Sequence, residues 1–261
     1  RQIIQKLLKD NVPAKNIFYL NKEIAGFDSI RDFKDLQKLI DYTKNKFKIR
    51  KKMYIFIDEV QEIDGWEKII NSLAQDYKNA YEVFITGSNS TMLSGELATR
   101  LSGRYITFEL PTFSFTEYVD FFKIPRDKKN YLEYLRCGGL PELFHLKEEE
   151  TKRHYVASLK DTILFKDIVK RHQIKDAVLL ERLFNFLVDN TGGLFSLNSI
   201  VSYITHHRQK TNHETISNYV SYLLQSYLFH EVERFDVKGK NILAGNKKYY
   251  LNDLSFRNYL S

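Results

Sequence analysis

The chain has 261 residues, with 40 Lys and Arg against 33 Asp and Glu for a formal net charge of +7. A chain of this length can bury a sizeable core and naturally divides into two or three compact units. The single cysteine, Cys137, excludes an internal disulfide and a cysteine-based metal site. No apolar run approaches the roughly 20 residues that cross a bilayer, and the opening RQIIQKLLKD lacks the pattern of a signal peptide. We therefore expect a cytoplasmic protein without a membrane partner.

The first 110 residues predict an α/β fold. Between the strands, apolar residues recur at helical spacing, and Asp28 or Ser29 is the expected cap of the first such helix. Strands that alternate with helices indicate a parallel sheet with helical crossovers. Four apolar runs bounded by turn residues read as the buried strands: NIFYLN (16–21), MYIFIDEV (53–60), EVFITGS (82–88) and ITFEL (106–110).

From Pro111 onward, helical patterns dominate. Three helices are predicted at about 176–189, 196–205 and 212–227, and two extended segments, FHEVERFDV and KKYYLNDL, follow them. Three helices and a β-hairpin in this order are typical of a winged helix-turn-helix.

The string YIFIDEVQ (54–61) carries the strongest functional signal. It places Asp58 and Glu59 at the carboxyl end of a parallel strand, where α/β sheets bind their ligands. As a Walker B motif, Asp58 would hold Mg²⁺ and Glu59 would polarise the water that attacks the γ-phosphate of ATP. The alternative is an acidic strand end that only caps the next helix.

Two further groups of polar residues support a nucleotide site. Ser88 and Asn89 follow the next strand, where they could orient the attacking water or sense the γ-phosphate. The alternative there is an ordinary turn. Arg100 and Arg104 lie four residues apart in LATRLSGR, and an arginine near a phosphate stabilises transition-state charge. A surface pair of arginines is the alternative.

The net charge is not concentrated in the segment with the winged-helix pattern. Residues 176–261 carry nine basic and eight acidic side chains, which is only +1. The densest basic run, residues 44–52, could contact phosphates, but a solvated helix end and loop is the competing interpretation. On the third helix, outward polar residues could read DNA, although protein contacts or a spacer role fit as well. The nucleic-acid candidates are Arg208, Lys210, Ser217, Asn218 and Ser221.

Taken together, the motifs resemble a family: bacterial and archaeal AAA-type P-loop ATPases that carry a winged helix and a nuclease-like domain of unknown function in their C-terminal half. The resemblance implies an ATPase core at 1–110, a helical lid at 111–175 that includes the glycine turn CGGLPE, and a winged-helix domain at 176–261. The matching stretches occur in the family's order: IDEVQ, TGSNSTMLSGELATRLSGR, FELPTFSFTEY and YLRCGGLPE.

By this resemblance, Asp58 and Glu59 correspond to Walker B, Ser88 and Asn89 to the sensor, and Arg100 and Arg104 to the family's arginines. The expected cofactors are ATP and Mg²⁺. DNA, a protein partner or a second copy of the chain are candidate partners.

One departure concerns the phosphate loop. The sequence contains no Gly-x-x-x-x-Gly-Lys-Ser/Thr, so it lacks the loop and lysine that cradle the β- and γ-phosphates. We expect the sequence to begin after that loop, because a helix starts without a cap at residue 1. Asp253 in KKYYLNDL resembles the end of the first strand of the nuclease-like domain, but its partner acid and lysine are missing. The predicted function is ATP binding and hydrolysis coupled to a winged helix; the alternative is a non-catalytic DNA- or protein-binding module on a degenerate ATPase scaffold.

Overall fold

The computed structural model describes residues 1–76, 78–88, 101, 105–206, 211–233 and 246–260. Its contacts divide the chain into two compact units, Arg1–Phe108 and Glu109–Ser261. The predicted division into 1–110, 111–175 and 176–261 remains a prediction.

The first unit contains a parallel sheet of three strands in the order β1-β2-β3. The predicted parallel sheet is therefore confirmed. Its core is formed by fully buried aliphatic side chains of the strands and of α2 and α3, such as Leu20, Leu36 and Ile57. The elements are α1 (Gln2–Lys9), β1 (Ile17–Asn21), α2 (Phe33–Lys46), β2 (Met53–Asp58), α3 (Trp66–Ala74) and β3 (Tyr81–Ile85).

Two local predictions for the first 110 residues are wrong. The cap of α2 is Asp32, whose carboxylate accepts hydrogen bonds from two backbone N–H groups of the first turn at 2.8 and 3.0 Å. Asp28 instead closes a short 3₁₀ turn. The run 106–110 does not form a strand: Ile106, Phe108 and Leu110 are 81%, 79% and 93% exposed. Alternating apolar residues form a strand only when a neighbouring strand pairs with them, and the described residues provide none.

The second unit combines seven described helices with a small antiparallel sheet in the order β4-β6-β5. The three predicted helices and the two extended segments are confirmed as elements. A π-helix, Ile163–Lys170, continues α6. The elements are α4 (Phe115–Phe122), α5 (Lys128–Cys137), α6 (Glu149–Thr162), α7 (Ala177–Asp189), β4 (Leu194–Phe195), α8 (Leu197–His206), α9 (His213–Gln225), β5 (Phe229–Val232), β6 (Lys247–Leu251) and α10 (Ser255–Leu260).

One continuous core joins the elements from α6 to α10. It takes Val156 from α6 and Ile168 from the π-helix, and it extends through α7 and α9 to Phe229 on β5 and Tyr259 on α10. Helix α6 and the π-helix, which precede residue 176, thus bury their apolar faces against the helices and strands that follow it.

The glycine turn after α5 is held by a buried carboxylate. Asp253, only 3% exposed, accepts hydrogen bonds from the backbone N–H of Gly139 at 2.8 Å and of Ser255 at 2.9 Å. Gly138 has φ +78°, and a Cβ there would lie 2.2 Å from the Asp253 carboxylate. A Cβ at Gly139 would lie 2.2 Å from the carbonyl oxygen of Phe113. Both positions therefore require glycine.

An ion pair stabilises the last turns of α5. Arg136 donates to the Glu133 carboxylate at 2.7 Å, and the Cys137 thiol donates to it at 3.1 Å. These two hydrogen bonds, with that of Arg136 the larger effect, lower the pKa of Glu133 to about 2.

Candidate active site

Asp58 and Glu59 lie where the central strand β2 ends. Asp58 is the last residue of β2 and lies opposite Asn21, the last residue of β1. Glu59 follows with φ 56° and ψ 50°, a left-handed backbone conformation that is unusual for a residue other than glycine. The backbone thus turns sharply between the two acids, and such strained positions cluster at functional sites.

Thr86, directly after β3, is hydrogen-bonded to Asp58 and to the backbone on either side of the two acids. The Thr86 hydroxyl donates to the Asp58 carboxylate, and the Val60 N–H donates to the Thr86 carbonyl at 3.1 Å. The Thr86 N–H in turn donates to the Ile57 carbonyl at 2.9 Å. Thr86 therefore fixes the ends of β2 and β3 against each other, and it is a site residue that the sequence interpretation missed.

Gln61 is a second residue that the sequence interpretation missed. Its side-chain Nε2 donates to the Glu59 carboxylate and reaches the Ser88 hydroxyl at 3.5 Å. Its Oε1 is buried and has no hydrogen-bond partner among the residues that the structure describes. Gln61 thus connects the predicted catalytic acid to the predicted sensor, and it leaves one acceptor unsatisfied inside the site.

The structure brings together part of the predicted set. Asp58, Glu59 and Ser88 lie at the same edge of the sheet, where the carboxyl ends of its parallel strands meet. Asn89, Arg100 and Arg104 lie outside the described residues, as do the nucleic-acid candidates Arg208 and Lys210. Their placement in a site stays a prediction.

The other three nucleic-acid candidates lie on α9. Asn218 is exposed, whereas Ser217 and Ser221 are partly buried, and the Ser221 hydroxyl accepts a hydrogen bond from the Gln225 amide at 2.9 Å. Asn218 also lines an open cleft of about 650 Å³ beside Tyr222, whose ring stacks on His172 with 3.7 Å between centroids. Of these three side chains only Asn218 is exposed, and α9 carries no Lys or Arg.

Within the described residues, no group of three or more His, Cys, Asp or Glu side chains is placed to hold a metal ion. None of the helices that the structure describes is long and apolar enough to cross a membrane.

Comparison with known families identifies the class of the first unit. Residues 1–119 match the family model described as an AAA domain. This match agrees with the sheet and with the acids at the end of β2, and it supports the expected AAA type for this part of the chain. Residues 128–261 match a domain of unknown function, DUF8612, and this chain belongs to that family.

Two curated relatives match nearly the whole chain. An uncharacterized protein of Haemophilus influenzae is 34% identical over 257 residues, which is 97% of this chain and 63% of that protein. An uncharacterized protein of Methanocaldococcus jannaschii is 30% identical over 264 residues, which is 97% of this chain and 57% of that protein. The chain thus spans about three fifths of the length of these relatives.

Two solved structures show weaker similarity. A RuvB mutant of Thermotoga maritima gives a TM-score of 0.36 at 15% identity, covering 83% of this chain and 73% of that one. The Orc1 protein of Aeropyrum pernix, solved in complex with DNA, gives a TM-score of 0.44 at 14% identity, covering 100% of this chain and 81% of that one. Similarities at this level support no functional argument.

Proposed function

We propose that this chain supplies the Walker B part of a site that binds and hydrolyses ATP. The observation that supports this most is the juxtaposition of Asp58 and Glu59 with Thr86 and Ser88 at the carboxyl edge of the sheet. In this proposal, Glu59 accepts a proton from the water that attacks the γ-phosphate, and Ser88 orients that water. Asn89 acts beside Ser88, while Arg100 and Arg104 stabilise the charge that develops on the phosphate, within one chain or from a second copy.

The oxygen donors at this edge fit Mg²⁺. A carboxylate and hydroxyl oxygens are the ligands this cation prefers, and it usually takes only one or two carboxylates together with water and substrate phosphates. Asp58 would hold it, and the Thr86 hydroxyl, which already contacts Asp58, would fix the orientation of the carboxylate. The ion would neutralise negative charge on the phosphates of ATP.

Gln61 acts in this site as a positioning residue. Because its amide donates to the Glu59 carboxylate, it limits the rotamers that this acid can adopt. Its buried Oε1 has no donor among the described residues and is the acceptor that a water bound inside the site would use. We expect Gln61→Met to lower kcat for ATP hydrolysis about tenfold at unchanged KM. Gln75→Met, at an exposed glutamine whose side chain donates to the Asn71 side chain, is the control.

The experiment that tests the catalytic proposal is ATP hydrolysis by the gene product that contains these residues. Glu59→Gln keeps the shape of the side chain and removes the base, so kcat should fall about 100-fold or more while ATP binding persists. Glu62→Gln changes an exposed acid three residues away and should leave kcat unchanged. Equal rates for Glu59→Gln and the unmodified protein would refute the assigned role.

A non-catalytic module is the second candidate, since the chain contains no Gly-x-x-x-x-Gly-Lys-Ser/Thr. In that case the first unit is a degenerate ATPase scaffold that presents a DNA- or protein-binding surface. Absence of Mg²⁺-dependent ATP binding by the gene product would favour this candidate over the first.

We also infer that residues 176–261 form a winged helix-turn-helix in which α9 is the recognition helix. Two features support this inference. The elements follow the order helix, strand, helix, helix, strand, strand, and the strands of the sheet lie in the order β4-β6-β5. Binding of duplex DNA through Ser217, Asn218 and Ser221 would weaken when Asn218 is replaced by Ala. Unchanged duplex binding by Asn218→Ala would leave protein contacts as the use of α9.

A further inference from the structure

The opposite edge of the sheet, where the three strands begin, is strongly basic. A hydrogen bond connects the segment that precedes β1 with the segment that precedes β2. The buried Asn16 side chain donates to the Lys52 carbonyl at 2.9 Å. The segment before β3 is joined to β2 by the Met53 N–H, which donates to the Ala80 carbonyl at 2.9 Å. These bonds bring together eight cations, here named the basic edge: Lys15, Lys44, Lys46, Lys48, Arg50, Lys51, Lys52 and Lys78.

The carboxylates near this edge neutralise little of its charge. Glu82 pairs with Lys52, and this is the one ion pair of the basic edge among the described residues. Asp76 accepts instead from the backbone N–H groups of Lys78 and Asn79. Within the described part of the chain, six exposed cations of the edge have no carboxylate at ion-pair distance: Lys15, Lys46, Lys48, Arg50, Lys51 and Lys78.

Two exposed aromatic rings border these cations. Tyr42 is 59% and Phe47 is 46% exposed, at the end of α2 that leads into the basic run. The Lys46 ammonium lies 5.3 Å from the centroid of Tyr42 and 5.8 Å from that of Phe47. Large aromatic side chains are normally buried, so exposed rings beside unpaired cations indicate a binding surface rather than a solvated loop.

Cations and aromatic rings together favour single-stranded nucleic acid as the partner. Lysine and arginine contact phosphates, and exposed rings stack on unpaired bases irrespective of sequence. An anionic membrane would use the cations equally but would require an apolar surface that inserts, whereas this edge offers two isolated rings. Duplex DNA would satisfy the cations but would leave the rings without bases to stack on.

We propose that the basic edge binds single-stranded nucleic acid, with phosphates on its unpaired cations and bases on Tyr42 and Phe47. This surface is separate from the acids at the end of β2. The six residues of β2 separate the two edges by roughly 20 Å at about 3.3 Å per residue. The proposal therefore stands whether or not the site at Asp58 hydrolyses ATP.

The test is fluorescence anisotropy of a labelled oligothymidylate of about 20 nucleotides, titrated with the protein at several NaCl concentrations. The triple charge reversal Lys48→Glu, Arg50→Glu, Lys51→Glu should lower the affinity at least tenfold. The slope of log affinity against log salt should also become less negative by about 2. Each phosphate contact on a single strand contributes about −0.7 to this slope, and the variant removes three cations. Tyr42→Ala should weaken binding about tenfold without changing this slope, because stacking releases no counterions.

The matched control reverses three exposed cations elsewhere, Lys129→Glu, Lys147→Glu and Arg153→Glu, and so changes the net charge equally. It should retain most of the affinity. Circular dichroism verifies that all variants fold. The proposal is overturned if the unmodified protein does not bind the oligonucleotide, if the control loses as much affinity as the edge variant, or if the protein binds phosphatidylserine vesicles in preference to the oligonucleotide.

Discussion

The buried carboxylate of Asp253 should contribute more to stability than other aspartates of the second unit. Asp253→Ala would leave the N–H groups of Gly139 and Ser255 without their acceptor in the interior. An unsatisfied buried donor costs about 1–3 kcal/mol, so the two together predict a loss of about 2–6 kcal/mol. Asp253→Asn keeps the volume but supplies one acceptor oxygen instead of two, and its loss should be intermediate.

Urea denaturation followed by circular dichroism measures this loss. Asp120→Ala is the control, because Asp120 is exposed and its ion pair with Arg126, at 3.4 Å, contributes about 0–1 kcal/mol. The reasoning is refuted if Asp253→Ala destabilises the protein by no more than Asp120→Ala. A second measurement uses Gly138→Ala, whose clash with the Asp253 carboxylate disappears in the Asp253→Ala background. The two substitutions together should therefore cost less than the sum of their separate effects.

Three further substitutions test other parts of the fold. Glu133→Gln should reduce the loss of stability on acidification. The pKa of Glu133 is about 2 in the folded protein against an ordinary value of 4.5. The ionised carboxylate therefore stabilises the fold fully above pH 4.5, and this stabilisation disappears as the pH falls toward 2. Parallel urea midpoints at about pH 7 and pH 3 for both proteins measure this, and an equal drop would contradict it. Gly139→Ala should cost about 1–3 kcal/mol through its clash with the Phe113 carbonyl, whereas Gly26→Ala, with no atom within 4 Å, should not. Asp32→Ala should lower the midpoint of thermal or urea unfolding through loss of the α2 cap, and an unchanged midpoint would contradict this role of Asp32.

Much of the fold could be predicted because its periodicities are strong. The run MYIFID is apolar enough to mark a buried central strand, and the acids that follow it identify the edge where a ligand would bind. The three helices predicted between residues 176 and 227 agree within about two residues with α7, α8 and α9 for the same reason. The run ITFEL has the same local pattern as the other strands, but a strand also needs a partner, which no local pattern reveals.

The site was only partly predictable. The two acids are adjacent in sequence, whereas the contacts of Gln61 with Ser88 and of Thr86 with Asp58 join residues 27 and 28 positions apart. Polar residues after a strand are common, so the spacing alone could not select these two. The basic edge as a whole could not be predicted from sequence spacing either. Lys15 and Lys78 lie far in sequence from the run at 44–52, and only the parallel sheet brings them beside it.

The shared core of the second unit limits how this part of the protein can be divided. A fragment that began at residue 176 would retain α7, α9 and the small sheet but would lose Val156, Leu164 and Ile168, which are at most 2% exposed. Its apolar faces would then be open to water and prone to aggregate. Residues 143–260 should therefore fold and unfold as one cooperative unit. A fragment for separate expression is better started before residue 143 than within this segment.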